Sequence, residues 1–447
     1  MPPHRPWSPS QVLVTSLAAL IGAGTLVLWL PISSGRGQLT LLNALFTSTS
    51  AVCVTGLSVV DVPVDLSPFG QVVLMLLIQA GGLGYMSLTT IVAVALGRSL
   101  TVQERLTLQE ALNVQSMEGL IRFTMGIFKL TLAFELAGTL ILGWWWAADM
   151  GIGKALWFGL FHSVSAFNNA GFALHSDNLM RYRGDWVVNL VICSLIIVGG
   201  LGFVVLAELG QWRKQLKLSV HSRLALTMTV FLLAAGTIAI YALEASNPRT
   251  LSGIPAAEAW LASFFQAVSP RTAGFNTVDI GGMTQPALFI IVILMFIGAA
   301  PGGTGGGVKV TTFGITVAAL WATVRGIDEP VVFRRRLSSP LVARAFFICL
   351  ISFLALNGAA GLLLISEGRL LLPTLFETTS AFGTVGLSMG QVGSPLSLAG
   401  HFTAFGKLIL IAMMFMGRIG PLTVAVALAH RRENPRIRYA EGKILVG

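Results

Sequence analysis

Residues 47–61 read TSTSAVCVTGLSVVD, a run of small and polar side chains in a chain that is otherwise strongly apolar. Of the 447 residues, 54% are hydrophobic and 11% are charged. Soluble globular domains carry roughly 25% charged residues, so this composition is typical of an integral membrane protein. A polar strip in such a chain must be buried in protein or contact water, because lipid cannot form hydrogen bonds with its backbone N–H and C=O groups.

Apolar segments define the membrane topology. A helix needs about 20 apolar residues to cross a bilayer. Eight stretches are long enough, at residues 11–30, 70–96, 123–148, 186–208, 223–244, 286–321, 341–366 and 402–429. The first is too long for a signal-peptide core and is predicted to be a retained helix. Cys53, Cys193 and Cys349 show no CxxC spacing, so neither a disulfide framework nor a zinc site is expected.

Basic residues gather in alternate loops, at residues 98–122, 213–223, 325–344 and 431–443. The positive-inside rule makes these loops, and with them both termini, cytoplasmic. The net charge of +10 therefore indicates topology and not nucleic-acid binding. We predict a multi-pass protein of the cell membrane that contacts membrane lipids.

The opening strip belongs to a motif that occurs four times. The copies are LFTSTSAVCVTGLS at 45–58, LFHSVSAFNNAGFA at 160–173, SFFQAVSPRTAGFN at 263–276 and LFETTSAFGTVGLS at 375–388. Aligned on their shared glycine, all have phenylalanine ten residues earlier (Phe46, Phe161, Phe264 and Phe376). A serine lies six residues before the glycine in three copies, whereas Ser269 lies one place later. This regularity predicts four copies of one unit.

Each unit consists of a long apolar segment, a short amphipathic run, the polar strip and a second apolar segment. The short runs of about ten residues span roughly 15 Å as helix, half the thickness of a membrane. They must re-enter on the side from which they came, so the strips line a water-filled path or lie buried in protein. The alternative, ordinary small-residue patches for helix packing, is disfavoured by four copies at matched positions.

Four such strips around one axis can present a ring of backbone carbonyls to a dehydrated monovalent cation. The C-terminal ends of the short helices would favour a cation, and glycine permits the backbone angles required. The fourth copy contains Thr-Val-Gly, the opening of the TVGYG strip of potassium channels. The predicted selectivity filter, with K+ at its carbonyls, comprises Val54, Thr55, Gly56, Asn169, Ala170, Gly171, Thr272, Ala273, Gly274, Thr384, Val385 and Gly386.

The second long segment of the third unit is interrupted by FIGAAPGGTGGGVKVTT at 296–312. Each glycine costs a helix about 1 kcal/mol and a proline about 3 kcal/mol, so a loop is predicted at 298–309, inside the membrane and below the strips. It is a candidate gate, with Gly302, Gly303, Thr304, Gly305, Gly306, Gly307 and Lys309. A Walker A reading fails because Gly-Lys-Ser/Thr is not consecutive, so we expect this chain to bind no nucleotide.

Arg418 lies within the last apolar segment, in MMFMGRIGPLT. A membrane arginine normally faces protein or water, so Arg418 is predicted to place a fixed positive charge in the pore, beside the candidate gate. Snorkelling to the cytoplasmic interface is the alternative. For Lys309, a position facing the pore and snorkelling to the cytoplasmic interface both stay open. Glycine pairs at Gly81-Gly82 and Gly199-Gly200 are predicted to permit close helix packing or bending.

These motifs resemble the Trk, Ktr and HKT superfamily of potassium transporters, and within it the KtrB-type membrane subunits. The resemblance implies an all-α polytopic membrane protein of four fused M1-P-M2 repeats with pseudo-four-fold symmetry around one pore. It sets the repeats at 1–96, 97–208, 209–324 and 325–430, with a cytoplasmic tail at 431–447. Glycine at all four filter positions implies potassium selectivity, because sodium-selective relatives carry serine at the first.

The resemblance also implies a homodimer resting on a cytosolic RCK-type, nucleotide-binding regulatory subunit. K+ is then the transported ion, and dependence on Na+ stays open. A coupled secondary transporter would show inverted repeats, whereas these four copies run in one sense. A polytopic membrane enzyme would need clustered acids, bases or metal ligands, which the sequence does not offer. We therefore expect a transport protein and not an enzyme.

Overall fold

The structure, a computed structural model, describes residues 9–84, 120–211, 218–327, 329–391 and 394–420. Within these ranges the regular secondary structure is helical, apart from a hairpin that pairs Val331–Val332 with Arg335–Arg336 and three isolated β-bridges. The predicted all-α fold class is confirmed. The tail at 431–447, much of two basic loops and the far ends of segments 70–96 and 402–429 lie outside the described residues.

Four long helices, which we term M1, begin the four repeats: Pro9–Trp29, Leu120–Met150, Val220–Glu244 and Ser339–Glu367. Each contains a stretch long and apolar enough to cross a membrane. Large apolar side chains project outward from them, including Leu140 at 64%, Phe231 at 60% and Ile365 at 85% exposure. An apolar outer surface of this kind suits contact with lipid.

A short helix, termed P, follows each M1 helix: Leu41–Val52, Ile152–Phe167, Ala256–Val268 and Leu371–Gly383. With 12 to 16 residues each, these helices are too short to cross a bilayer. Each packs against the M1 helix before it. Their last turns are buried, so all four P helices end inside the protein.

The third helix of each repeat, termed M2, is shorter than the apolar segment that the sequence contains. The M2 helices are Pro68–Leu83, Trp186–Gly200 followed by Phe203–Gln211, Gln285–Phe296 followed by Val310–Val324, and Ala404–Ile419. As predicted, the third M2 helix is broken, between Phe296 and Val310. The second M2 helix is interrupted as well: its two helices meet at 102°, next to the glycine pair Gly199-Gly200, where close packing or bending was predicted.

The bend in the second repeat lies against the loop of the third. Gly202 has a φ of +89°, and a Cβ atom there would lie 2.6 Å from the carbonyl oxygen of Pro301. The Phe203 amide donates to the carbonyl of Gly302 at 3.0 Å. The first and fourth M2 helices also end at a left-handed glycine, Gly84 and Gly420.

The repeats are joined in a cycle. Each M2 helix packs against the P helix of the next repeat, and the M2 helix of the fourth repeat packs against the P helix of the first. The first, second and fourth M2 helices also pack against the P helix of their own repeat. Small residues allow this second contact, because a Cβ atom on Gly81, Gly199 or Gly417 would overlap the carbonyl oxygen near the end of that P helix. The close packing predicted for Gly81 and Gly199 is therefore present, and Gly417 is a third case.

Candidate functional site

The four strips leave the buried ends of the P helices and are attached there by one serine each. In the first and fourth repeats the hydroxyl oxygens of Ser50 and Ser380 accept from the strip glycine amides, each at 3.0 Å. In the second repeat Ser165 donates instead to the carbonyl of Phe172 at 2.8 Å, and Ser269 donates to Phe275 in the third. All four serines are fully buried. The serine that recurs in the sequence thus anchors the strip.

The third strip is one residue shorter than the others. The carbonyl of each anchoring serine accepts from the amide just before the strip glycine, at 2.7 to 2.9 Å. This bond spans five residues in three repeats but four between Ser269 and Ala273. Consequently Phe265, fully buried like Phe46, is the equivalent phenylalanine. The choice of Phe264 by counting back from the glycine was wrong.

Every strip has two residues with positive φ, separated by one residue. The first are Val54 (φ 57°), Asn169 (60°), Thr272 (72°) and Thr384 (49°). The second are the strip glycines, Gly56 (93°), Gly171 (69°), Gly274 (77°) and Gly386 (93°). Positive φ is rare for β-branched residues and costs about 1–3 kcal/mol, and such strain clusters at functional sites.

The four strip glycines form a closed ring. A Cβ atom on any of them would lie 3.0 to 3.1 Å from the Cα atom of the next glycine, in the order Gly56, Gly171, Gly274, Gly386 and back to Gly56. It would lie closer still to the carbonyl oxygen that precedes that neighbour. The four strips, which are far apart in sequence, therefore meet around one axis with no space for a side chain between them.

A cavity of about 1070 Å³ opens on one side of the ring. It is lined by the four strip glycines and by the segments that follow them, and we call it the vestibule. Its charged residues include Asp61, Asp177, Asp279, Arg249 and Arg369. Burial raises the pKa of Asp61, against the opposing effect of a hydrogen bond from Ser176 at 2.7 Å.

The vestibule wall also contains an ion pair between Asp177 and Arg181, at 2.6 Å. Burial would raise the pKa of Asp177, but the hydrogen bond and charge of Arg181 outweigh it and hold that pKa below its ordinary value. Asp177 therefore stays ionised beside the ring at neutral pH.

The loop of the third repeat, from Ile297 to Lys309, lies on the opposite side of the ring. The Gly306 amide donates to the hydroxyl of Thr384 at 3.1 Å, and a Cβ atom on Gly305 would overlap the hydroxyl of Thr272. Both threonines are the first of the two positive-φ residues in their strips, whereas the lining of the vestibule begins at the second, the glycine. The loop thus faces the inner ends of the strips.

Backbone hydrogen bonds attach this loop to its neighbours. The Thr304 amide donates to the carbonyl of Gly199 at 3.2 Å, in the second repeat. The Gly307 amide donates to the carbonyl of Gly417 at 3.2 Å, in the fourth. Gly302 and Gly303 contact the second repeat: the Gly302 carbonyl accepts from the Phe203 amide, and Gly303 lies next to the carbonyl of Gly199. The candidate gate residues are therefore together in one loop.

Arg418 completes the attachment of the loop. Its guanidinium donates to the carbonyl of Thr304 and to the carbonyls of Gly81 and, at 3.4 Å, Gly82. The last two belong to the end of the first M2 helix, where free carbonyls attract a cation. Arg418 therefore lies against the loop and links the third and fourth repeats to the first. Lys309 donates to the carbonyl of Gly305 at 2.6 Å, within its own loop.

A buried polar cluster was only partly foreseen. The Asn168 amide donates to Glu135 at 2.9 Å and to Gln79 at 2.8 Å, and Gln79 donates to Glu135 at 3.2 Å. From sequence alone, a glutamate deep in an apolar segment, such as Glu135, is as readily explained by structural hydrogen bonding as by transport, and Gln79 was missed. A lone glutamine in an apolar segment was the available signal. The cluster joins the first and second repeats beside the second strip.

Comparisons with known proteins agree with this architecture. Residues 4–438 match the family model of TrkH, described as a cation transport protein. The chain is 42% identical to the Ktr system potassium uptake protein B of Bacillus subtilis, over 99% of this chain and 97% of that protein. It is 40% identical to the protein of the same name from Vibrio alginolyticus, over 98% and 95%.

Two further relatives extend the comparison. The potassium/sodium uptake protein NtpJ of Enterococcus hirae is 34% identical over 98% of this chain and 97% of its own length. The crystal structure of the potassium transporter TrkH from Vibrio parahaemolyticus superposes with a TM-score of 0.73 at 20% identity, over 96% of this chain and 86% of that one. That similarity is one of fold. From the match over nearly its whole length, the chain belongs to the TrkH family of cation transport proteins.

Proposed function

We propose that this chain is a potassium-uptake subunit of the cell membrane, which conducts K+ through the ring of four strips. The observation that carries the proposal is the closure of the ring, in which each strip glycine abuts the carbonyl before the next. Relatives at 42% and 40% identity are named potassium uptake proteins. K+ is here the transported substrate and not a resident cofactor.

The ring has the chemistry that a monovalent cation requires. Backbone carbonyls from Val54 to Gly56, and from the matching residues of the other strips, would replace the hydration shell of the ion. The four P helices direct their negative C-terminal ends toward the ring, which favours a cation there. The ionised Asp177 would help to attract cations to the vestibule.

The loop at 298–309 acts as the gate in this proposal. It lies under the strips, and hydrogen bonds attach it to the three other repeats. Arg418 adds a positive charge at this level, which would oppose the passage of a cation while it stays in place. Conduction then requires the bonds of Thr304 and Gly307 to loosen and Arg418 to move.

The same comparisons bear on the assembly in one respect. The names of two relatives refer to a Ktr system, which supports a subunit that works with others. We propose a homodimer with a cytosolic RCK-type regulatory subunit, both termini cytoplasmic, and repeats divided at the boundaries given above. Sodium-coupled potassium uptake is the second candidate, favoured by the name of the Enterococcus hirae relative.

The test is rubidium uptake by purified protein in liposomes. Rubidium-86 should enter when the liposomes contain the protein, and external K+ should compete far better than external Na+. Uptake that rises with external Na+ would favour the coupled candidate. No uptake above protein-free liposomes, with and without a cytosolic partner, would refute the proposal.

A further inference from the structure

Besides the anchoring serine, the four P helices share a second feature, a buried polar residue at one matching position. Three residues before that serine, one turn back along the helix, every repeat has a buried polar residue. These are Thr47, His162, Gln266 and Glu377, with exposures of 0%, 0%, 1% and 0%. The equivalence emerges once the third repeat is aligned on Ser269. The four side chains form a polar layer behind the strips.

Glu377 holds the segment that leaves the fourth strip. One carboxylate oxygen accepts from the hydroxyl of Ser388 at 2.7 Å, and the other accepts from the amide of Ala399 at 2.8 Å. The Ser388 oxygen in turn accepts from the amides of Leu398 and Gly390, at 2.8 and 3.1 Å. Ser388 lies two residues after Gly386, so the carboxylate organises the exit of the strip.

His162 has the same task in the opposite repeat, without a charge. Its Nε2 atom accepts from the amide of Leu174 at 3.3 Å, and its Nδ1 atom lies 2.7 Å from the carbonyl of Phe158. This pair of partners requires a neutral ring with the proton on Nδ1. Leu174 lies three residues after Gly171, so His162 also holds the exit segment of its strip.

The other two members of the layer make no such connection. The hydroxyl of Thr47 and both amide atoms of Gln266 have no hydrogen-bond partner among the described residues. Glu377 differs from all three because it is a carboxyl whose two oxygens each accept a hydrogen bond from the segment that leaves the strip. The layer is thus polar in four repeats and contains a carboxyl in one.

We infer that Glu377 is a positioning residue whose carboxyl fixes the exit of the fourth strip. Through that position it sets how tightly the ring holds a permeating monovalent cation. The inference rests on the proposed function, since it assigns a determinant of affinity to the proposed filter.

The decisive variant is Glu377→Gln, which retains the size of the side chain but replaces one of its two acceptor oxygens by an NH2 donor. The exit segment then loses its acceptor for either the Ala399 amide or the Ser388 hydroxyl, which should raise the half-saturating concentration of rubidium in liposome uptake about ten-fold. The maximal rate at saturating rubidium should stay within about two-fold, because the pore itself is intact. A general loss of structure would lower the maximal rate instead.

Glu367→Gln is the matched control. Glu367 also accepts hydrogen bonds, from the amide and hydroxyl of Thr403 at 2.9 and 2.6 Å and from the hydroxyl of Ser366 at 3.3 Å, but it holds the N-cap residue of an M2 helix and not a strip exit. This variant should leave the half-saturating concentration unchanged. An equal rise in both variants, or none in folded Glu377→Gln, overturns the inference.

If Glu377→Gln does not yield monodisperse protein, Ser388→Ala decides the matter. It keeps the carboxylate and removes the hydroxyl that orients it, so the half-saturating concentration should rise about three-fold. An unchanged value would overturn the positioning role. Absence of rubidium uptake by the unmodified protein would refute the proposed function instead, which separates the two failures.

Discussion

Replacing Gly56 with serine tests the ring most directly. Gly56 has a φ of +93°, and its new Cβ atom would lie 3.1 Å from the Cα atom of Gly171 and closer to the carbonyl oxygen of Ala170. The left-handed backbone alone costs a serine about 1–3 kcal/mol. The ring must therefore widen or relax between the first and second repeats, and carbonyls at a greater distance compensate K+ dehydration less well.

The expected result is a loss of discrimination between K+ and Na+. A change of 1.4 kcal/mol corresponds to ten-fold, so the strain predicts that the preference for K+ falls by about ten-fold or more. The assay measures rubidium-86 uptake into liposomes and the concentrations of K+ and Na+ that halve it. In the variant, Na+ should compete at much lower concentrations than in the unmodified protein.

Gly358→Ala is the matched control, because no atom lies within 4 Å of a Cβ atom at that position on an M1 helix. We expect unchanged competition by both ions and a slightly more stable helix. The reasoning is refuted if Gly56→Ser gives monodisperse protein with the unmodified preference for K+. Such a result would mean that the closed ring is not the place where the ions are distinguished.

Three further perturbations test the surroundings of the ring. Arg418→Gln removes charge-assisted bonds to the carbonyls of Thr304 and Gly81, each worth about 1.5–3 kcal/mol, so rubidium uptake should rise about ten-fold; a decrease in a folded variant would contradict a barrier role. Ser380→Ala leaves the buried Gly386 amide without its acceptor and should cost about 1–3 kcal/mol in thermal unfolding, whereas unchanged stability would show that the anchor is dispensable. The Asp177–Arg181 ion pair lowers the pKa of Asp177 below its ordinary 3.8, so the pair stabilises the folded protein above that pH and ceases to do so as pH falls through the lower folded pKa. Asp177→Asn should therefore reduce the free energy of unfolding at pH 7 by under about 1 kcal/mol. It should also abolish this acid dependence, which a plot of melting temperature against pH would measure.

The strips and P helices could be predicted because their physical requirements leave marks in the sequence. A backbone with positive φ and no space for a Cβ atom demands glycine, and Gly56, Gly171, Gly274 and Gly386 therefore recur. A helix that ends inside the membrane must be short, which the spacing between apolar segments also revealed. The broken third M2 helix was visible for the same reason, since its glycines cannot sustain a helix.

Other features depend on contacts that have no signature in the sequence. Two adjacent phenylalanines, Phe264 and Phe265, both fit the repeat when the copies are compared as sequences. The hydrogen bond from Ala273 to Ser269 and the burial of Phe265 distinguish them. The bend at Gly202 packs against the loop that follows Phe296, about a hundred residues later in the chain, and no residue near Gly202 indicates that contact. Arg418 binds backbone carbonyls, which every residue possesses, so its partners at Gly81 and Thr304 could not be read from residue types.

The repeats are equal where they form the ring and unequal everywhere around it. All four M2 helices are interrupted or capped at nearly one level, at Gly84, Gly202, Ile297 and Gly420, yet the third alone supplies a long loop in the described part of the chain. Since that loop is attached to the second and fourth repeats directly and to the first through Arg418, it cannot move without affecting contacts in all of them. A ring built from four chains of identical sequence would carry four such loops or none. Fusing the repeats into one chain allows one loop to lie below the ring and one carboxylate, Glu377, to lie behind it, so that affinity and gating can change independently of the carbonyl geometry that all four repeats share.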